Sequence, residues 1–252
     1  MSKISSITRV LEIIETVSYS SKPVTPLELS KKLNIPKPTV HRLIQNLSEE
    51  GFITVNDSGG VVPGSRVRNL SIELWQQRRY FNERQVILQR LVTDIKETCG
   101  IAAPYNLNMV YTNHAQTMLP LQVYIPVGEK SPLWCTATGK LYLSQLSIHA
   151  RHKVLEKLTL HRFTRNTIYN MEVLNAELDQ IAKTGIGVDN EEFISEMVAI
   201  AVPILDSNSK YLASLYMHAP TTRISLVELL TYVPRLKIAA QEIQTLIDES
   251  QD

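Results

Sequence analysis

Apolar residues recur at helical spacing three times before residue 50. Ile7, Val10, Leu11, Ile14 and Val17 form the first such stripe, with Arg9, Glu12, Glu15 and Thr16 on the outer face. Lys22-Pro23 ends it. The second helix opens at Thr25-Pro26-Leu27-Glu28. Thr25 is a capping residue, Pro26 suits a first-turn position that needs no amide hydrogen, and Glu28 stands where a capping box closes. It runs to about Leu33, and Asn34 suits a tight turn because Asn tolerates the left-handed conformation. The third helix spans about Pro36 to Glu50, with Val40, Leu43, Ile44 and Leu47 on one buried stripe. Gly51 stops it. Phe52–Val55 and Val61-Val62 then flank Asn56-Asp57-Ser58-Gly59-Gly60, the pattern of a β-hairpin. Three helices and a hairpin predict a winged helix-turn-helix over residues 1–65.

Residues 66–90 lack Gly and Pro and read as one linker helix. Trp75 and Phe81 on it are candidates for a dimer contact, or pack on their own domain. From residue 91 to 252 the pattern changes to short strands alternating with helices. Ile101–Leu107, Val110–His114, Leu121–Ile125, Val198–Leu205 and Tyr211–His218 read as strands. Helices are expected at Thr138–Leu146, His149–Leu158, Met171–Thr184 and Ser225 to about Ile247, the last divided by Pro234. The turn Asp206–Lys210 makes the last two strands an antiparallel pair. The fold class expected is two-domain, with a mainly-α head followed by an α/β (α+β) sandwich on a mostly antiparallel sheet.

Composition alters this picture in one respect. The 252 residues carry a net charge of only +1, yet residues 1–90 hold 13 Lys and Arg against 8 Asp and Glu, and the remainder 13 against 17. A basic head on an acidic body points to an anionic partner for the head alone. Two cysteines are too few for a disulfide framework and read as free thiols in a reducing compartment. No run approaches the ~20 apolar residues of a membrane span. Glu12 and Glu15 interrupt the first apolar run, so it does not read as a signal peptide. A cytoplasmic protein with no membrane partner is expected.

The outer face of the third helix carries Lys37, Thr39, His41, Arg42, Gln45 and Asn46, with no carboxylate before Glu49. These side chains can read base edges or hold phosphates, and the helix follows a short one at helix-turn-helix spacing. Together with Lys37-Pro38-Thr39-Val40-His41-Arg42-Leu43 and Glu50-Gly51-Phe52-Ile53, the segment resembles the DNA-binding domain of IclR-type bacterial transcription regulators. One departure is Val61-Val62-Pro63-Gly64, where relatives carry an aromatic and a basic residue; the wing is expected to make fewer phosphate contacts. The resemblance continues through Trp134–Lys140, Gly185–Glu192, Ala201-Val202-Pro203 and Ala219-Pro220. It implies a GAF-like effector-binding domain, a double-stranded DNA operator, a small-molecule carboxylate effector, and self-association as dimers or dimers of dimers. The runner-up reading is a small-molecule sensor whose helical head contacts proteins rather than DNA.

Strand parity supplies candidate pocket residues. Leu212, Ser214, Tyr216 and His218 share one face, and Ala199 and Ala201 on the neighbouring strand leave room beside them. Tyr216 and His218 could equally be satisfied core residues. Thr136-Ala137-Thr138 lead into a helix whose free amides could hold a carboxylate, with both hydroxyls as added donors, or one Thr could merely cap the helix. The resemblance assigns Asp189 to the effector, against a plain turn Asp; Ala199 stands where many relatives have Cys, and Tyr216 and His218 where some have Ser. That lining favours an aromatic or hydroxylated carboxylate. Catalytic, metal and cofactor sites are not expected. Ala137-Thr138-Gly139-Lys140 lacks the first Gly and final Ser/Thr of a phosphate loop, and Gly185-x-Gly187 lacks the third Gly of a dinucleotide fingerprint. His149, His152 and His161 lack an evident partner for zinc, and Cys135 with His218 is the only nucleophile–base pair worth naming.

Overall fold

The computed structural model describes residues 5–20, 22–75 and 78–248. The chain divides into two compact units, residues 1–77 and 78–252.

In the first unit, α1 (Ser6–Tyr19), α2 (Pro26–Lys32) and α3 (Lys37–Glu49) precede the hairpin β1 (Ile53–Val55) and β2 (Val61–Pro63), and α4 (Ser65–Trp75) follows. The capping box forms as the sequence dictates: the Thr25 amide donates to Glu28 Oε2 at 2.7 Å and the Glu28 amide to Thr25 Oγ1 at 3.3 Å. Asn34 takes φ 51° and Gly51 φ 74°, the left-handed turns that end α2 and α3. Val40, Leu43, Ile44 and Leu47 are all buried, with Leu29, Ile35, Ile53 and Val61. The stripe of α1 differs from expectation. Ile7 and Leu11 are 72% and 52% exposed, while Ile13 and Thr16 are buried with Val17. Val10, Ile13, Ile14 and Val17 also satisfy helical spacing, and packing selects that stripe.

The second unit comprises α5 (Arg78–Ile95), β3 (Thr98–Tyr105), β4 (Asn108–Ala115), β5 (Lys130–Pro132), α6 (Ala137–Gln145), α7 (Ile148–Leu155), α8 (Met171–Thr184), β6 (Gly187–Asn190), β7 (Met197–Leu205), β8 (Tyr211–Pro220), α9 (Leu226–Leu230) and α10 (Val233–Asp248). The sheet order is β5-β4-β3-β8-β7-β6 and every pairing is antiparallel. Helices α5 and α10 cover one face. The other face packs under α6 and α8, with Leu133, Leu141, Leu143, Leu174 and Leu178 buried between them. No described helix is long and apolar enough to cross a membrane.

Four expectations need correction. Leu121–Ile125 is not a strand. Pro120 and Pro126 bracket it, Leu121 sits at φ 59°, and Leu121 and Tyr124 are more than 60% exposed. Its place beside β4 is taken by β5, with Met109 opposite Ser131. The short edge strand β6 was unforeseen because Gly, Asp and Asn disfavour strands; pairing with β7 imposes it. The helix expected to end at residue 90 continues as α5 to Ile95, residues 76 and 77 lying outside the described part. The break in the last helical stretch falls at Thr231-Tyr232, and Pro234 sits in the first turn of α10, where its missing amide hydrogen costs nothing. The Trp75 side chain lies outside the described residues, and Phe81 is half-buried.

Candidate functional site

Helix α3 buries one stripe and presents the other face. Lys37, His41, Arg42, Gln45 and Asn46 are exposed and Thr39 is half-buried. Its first turn has no side-chain cap, so its leading amides stay available to an anion. Glu49 lies at the far end and takes a hydrogen bond from Gln45 Nε2 at 3.1 Å, which orients that amide. The wing tip is closed by Asn56, whose Oδ1 accepts from the Gly60 amide at 2.7 Å. Asp57 is the charged residue of this turn.

In the second unit all seven sequence-derived effector residues come together. Thr136, Ala137, Thr138, Asp189, Ala199, Tyr216 and His218 line one enclosed cavity of about 20 Å³, completed by Tyr111, Phe193 and Met197. The register explains the convergence. Asp189, Ala199 and His218 form one row across β6, β7 and β8, and Gly187, Ala201 and Tyr216 the next. Side chains in register across neighbouring strands share a face. The Tyr216 ring lies over Gly100, where a methyl would meet its hydroxyl, and meets Tyr111 edge-on at 5.3 Å. Gly187 lets β6 approach the first turn of α6, since a methyl there would strike the Ala137 carbonyl oxygen.

The roof of the cavity is the start of α6. Thr136 caps the helix, accepting from the Gly139 amide at 3.1 Å, and its own hydroxyl proton goes to the Pro132 carbonyl at 2.7 Å. Its hydroxyl is therefore spent, contrary to the expectation of a free donor. Thr138 Oγ1 is buried without a partner. The amides of Ala137 and Thr138 precede the first i→i−4 bond, which Lys140 makes to Thr136.

Asp189 is both a loop cap and a cavity wall. Its Oδ1 accepts from the Glu192 amide at 2.7 Å and the Phe193 amide at 3.4 Å. Burial raises its carboxyl to about 7, against the opposing pull of the Glu192 amide. Burial lowers His218 to about 4, so its imidazole is neutral. Tyr216 and Cys135 are both pushed up by burial. A thiol held protonated in this way is no nucleophile, which removes the Cys135–His218 pairing.

Sequence reasoning missed the tie that holds the two sides of the cavity together. Lys140, fully buried on α6, meets Glu192 and also Glu177 at 3.1 Å. The Glu192 carbonyl in turn accepts from Thr167 Oγ1 at 2.6 Å, and the Glu191 carbonyl from Thr164 Oγ1 at 2.6 Å. Both charged residues lie in the motifs recognised above, but nothing in a separation of 52 residues shows that they touch. Among the described residues no three His, Cys, Asp or Glu side chains gather as metal ligands would.

Comparison with known proteins agrees with this geometry. Residues 6–57 match the model of the IclR helix-turn-helix domain, and residues 75–245 that of the bacterial transcriptional regulator IclR C-terminal domain. The chain is 32% identical over 237 residues to the "Probable transcriptional regulator SauR" of Cupriavidus necator, covering 93% of this chain and 94% of that one. The crystal structure of Thermotoga maritima IclR shares the fold, with TM-score 0.63 and 23% identity over 96% of this chain and 98% of that one. The inducer-binding domain of a PobR double mutant from Acinetobacter, in complex with 3-hydroxybenzoic acid, is 26% identical, with TM-score 0.61 over 66% of this chain and 98% of that one. The chain therefore belongs to the IclR family of bacterial transcriptional regulators, which act by binding DNA and are not enzymes.

Proposed function

We propose that this protein is a ligand-responsive regulator of a catabolic operon. It binds a pseudo-palindromic operator as a dimer or dimer of dimers, and a small carboxylate switches it. Residues 1–65 form the DNA-binding domain, 66–90 the linker and 91–252 the effector domain. Lys37, Thr39, His41, Arg42, Gln45 and Asn46 are the residues assigned to base and phosphate contact. The two-fold symmetry of a dimer would present two α3 helices to half-sites one helical turn, or a multiple, apart.

One observation carries the effector half of this reading. Seven residues chosen from strand parity and helix-start chemistry line a single cavity, under amides that suit a carboxylate. At about 20 Å³ the cavity has room for roughly one water molecule. Ligand sites usually span about 300–1,000 Å³. Effector uptake thus requires a wider state, and an effector that binds only that state shifts the population towards it. Differential affinity of this kind is what couples the cavity to DNA binding. The complex of the PobR domain with 3-hydroxybenzoic acid supports a carboxylate of modest size.

The test pairs a gel shift on the gene's own upstream DNA with a thermal-shift panel of carboxylates. Operator affinity should fall with salt at about 0.9 log units per log salt for each phosphate neutralised. Arg42→Ala should cost about 1–3 kcal/mol at the operator and less at random DNA if Arg42 reads a base. Equal losses at both would reduce Arg42 to a phosphate contact. DNA binding indifferent to every change on that face of α3 would remove the recognition-helix assignment.

A further inference from the structure

We propose that the effector bears a hydroxyl as well as a carboxylate, and that His218 selects for it by accepting the hydroxyl proton at Nε2. This rests on the carboxylate reading above. His218 is 5% exposed and lines the cavity. Its ring donates to the Val123 carbonyl. Nε2 is buried with no hydrogen-bond partner, so the donor is Nδ1. A neutral imidazole has one ring proton, and that proton is committed to Val123. Nε2 therefore offers the cavity a lone pair and nothing else. A buried acceptor without a donor is unfavourable, and a ligand O–H removes that penalty where a carbonyl or ether oxygen cannot.

The shape of the cavity agrees. Asp189, Ala199 and His218 stand in one row on three adjacent strands. Strands lie about 4.8 Å apart, so carboxyl and imidazole flank a gap of about 10 Å floored only by the Ala199 methyl. The two polar ends of the cavity thus differ in kind. The head of α6 offers the amides of Ala137 and Thr138 and the unpartnered hydroxyl of Thr138. The far side offers the His218 lone pair and the Asp189 carboxyl. A hydroxy acid satisfies both ends. A keto acid or an unsubstituted acid satisfies only the first and leaves Nε2 bare.

The experiment uses the full chain and matched acids: 3-hydroxybenzoate against benzoate, glycolate against acetate, and lactate against propionate, by calorimetry and thermal shift. At least one hydroxy member should bind about 10- to 100-fold tighter than its partner. His218→Phe should abolish that preference while retaining the weaker carboxylate binding, and His218→Gln, which keeps an acceptor, should restore part of it. The melting temperature of each ligand-free variant controls for folding, and if His218→Phe does not fold the wild-type pairs decide alone. Deoxy acids binding as tightly as their hydroxy partners would overturn the hydroxyl assignment and leave the carboxylate reading intact. Binding of none of the six would overturn the carboxylate reading and this inference with it.

Discussion

Asp189→Asn tests the electrostatics of the cavity directly. The wild-type carboxyl is raised from an ordinary 3.8 to about 7 because its ionised form is buried. The folded protein therefore holds this proton more tightly than the unfolded chain does. Stability from that difference is complete below the unfolded value near 3.8, declines as pH rises, and is gone above about 7. Asn keeps an oxygen to accept from the Glu192 and Phe193 amides but never ionises. From pH 5 to the native value lie two pH units at about 1.36 kcal/mol each. Between pH 5 and pH 8 the variant should thus gain on the order of 3 kcal/mol relative to wild type. The assay is urea unfolding of the full chain in a Trp75→Phe background, which leaves the buried Trp134 as reporter. Carboxylate affinity provides a second readout. It should fall above pH 7 in wild type, where Asp189 becomes an anion facing an anion, and stay level in the variant. Parallel stability curves across that range would refute the claim that burial destabilises the Asp189 carboxylate.

Lys140→Met should destabilise the protein by about 3–5 kcal/mol, because it strands the Glu192 carboxylate in a buried site, and adding Glu192→Gln should recover most of the loss; urea unfolding decides, and a single-variant cost below about 1 kcal/mol would make the tie energetically idle. Gly187→Ala should cost about 1–3 kcal/mol and weaken carboxylate binding, since the new methyl forces α6 away from β6, and unchanged calorimetric affinity and melting would contradict the close packing. Thr25→Ala removes half of the α2 capping box and should cost about 1 kcal/mol, read by hydrogen exchange in the first unit with the second unit unchanged.

The parts of the site that were legible in the sequence are those governed by short-range periodicity. In α3, Val40, Leu43, Ile44 and Leu47 admit only one buried stripe, so the position of the carboxylate-free face follows from residue spacing alone. Period-two alternation put Tyr216 and His218 on one face and offered Ala199 and Ala201 as their neighbours, and the observed register pairs them. In α1, by contrast, two overlapping stripes satisfy the same spacing. Exposure of Ile7 and Leu11 is a decision of packing, not of period. Leu121–Ile125 has strand-like residues yet no strand, because β5 takes the partner positions on β4.

By itself the sequence determined where helices start, which faces are apolar, which residues carry chemistry and which family the chain resembles, because each of these depends on neighbours within a few positions. Tertiary structure alone decided which groups meet. It brought Lys140 to Glu192, spent the Thr136 hydroxyl on Pro132, and committed one ring nitrogen of His218 to Val123. Such contacts depend on the relative placement of segments far apart in the chain, and burial then sets their protonation by removing water from around them.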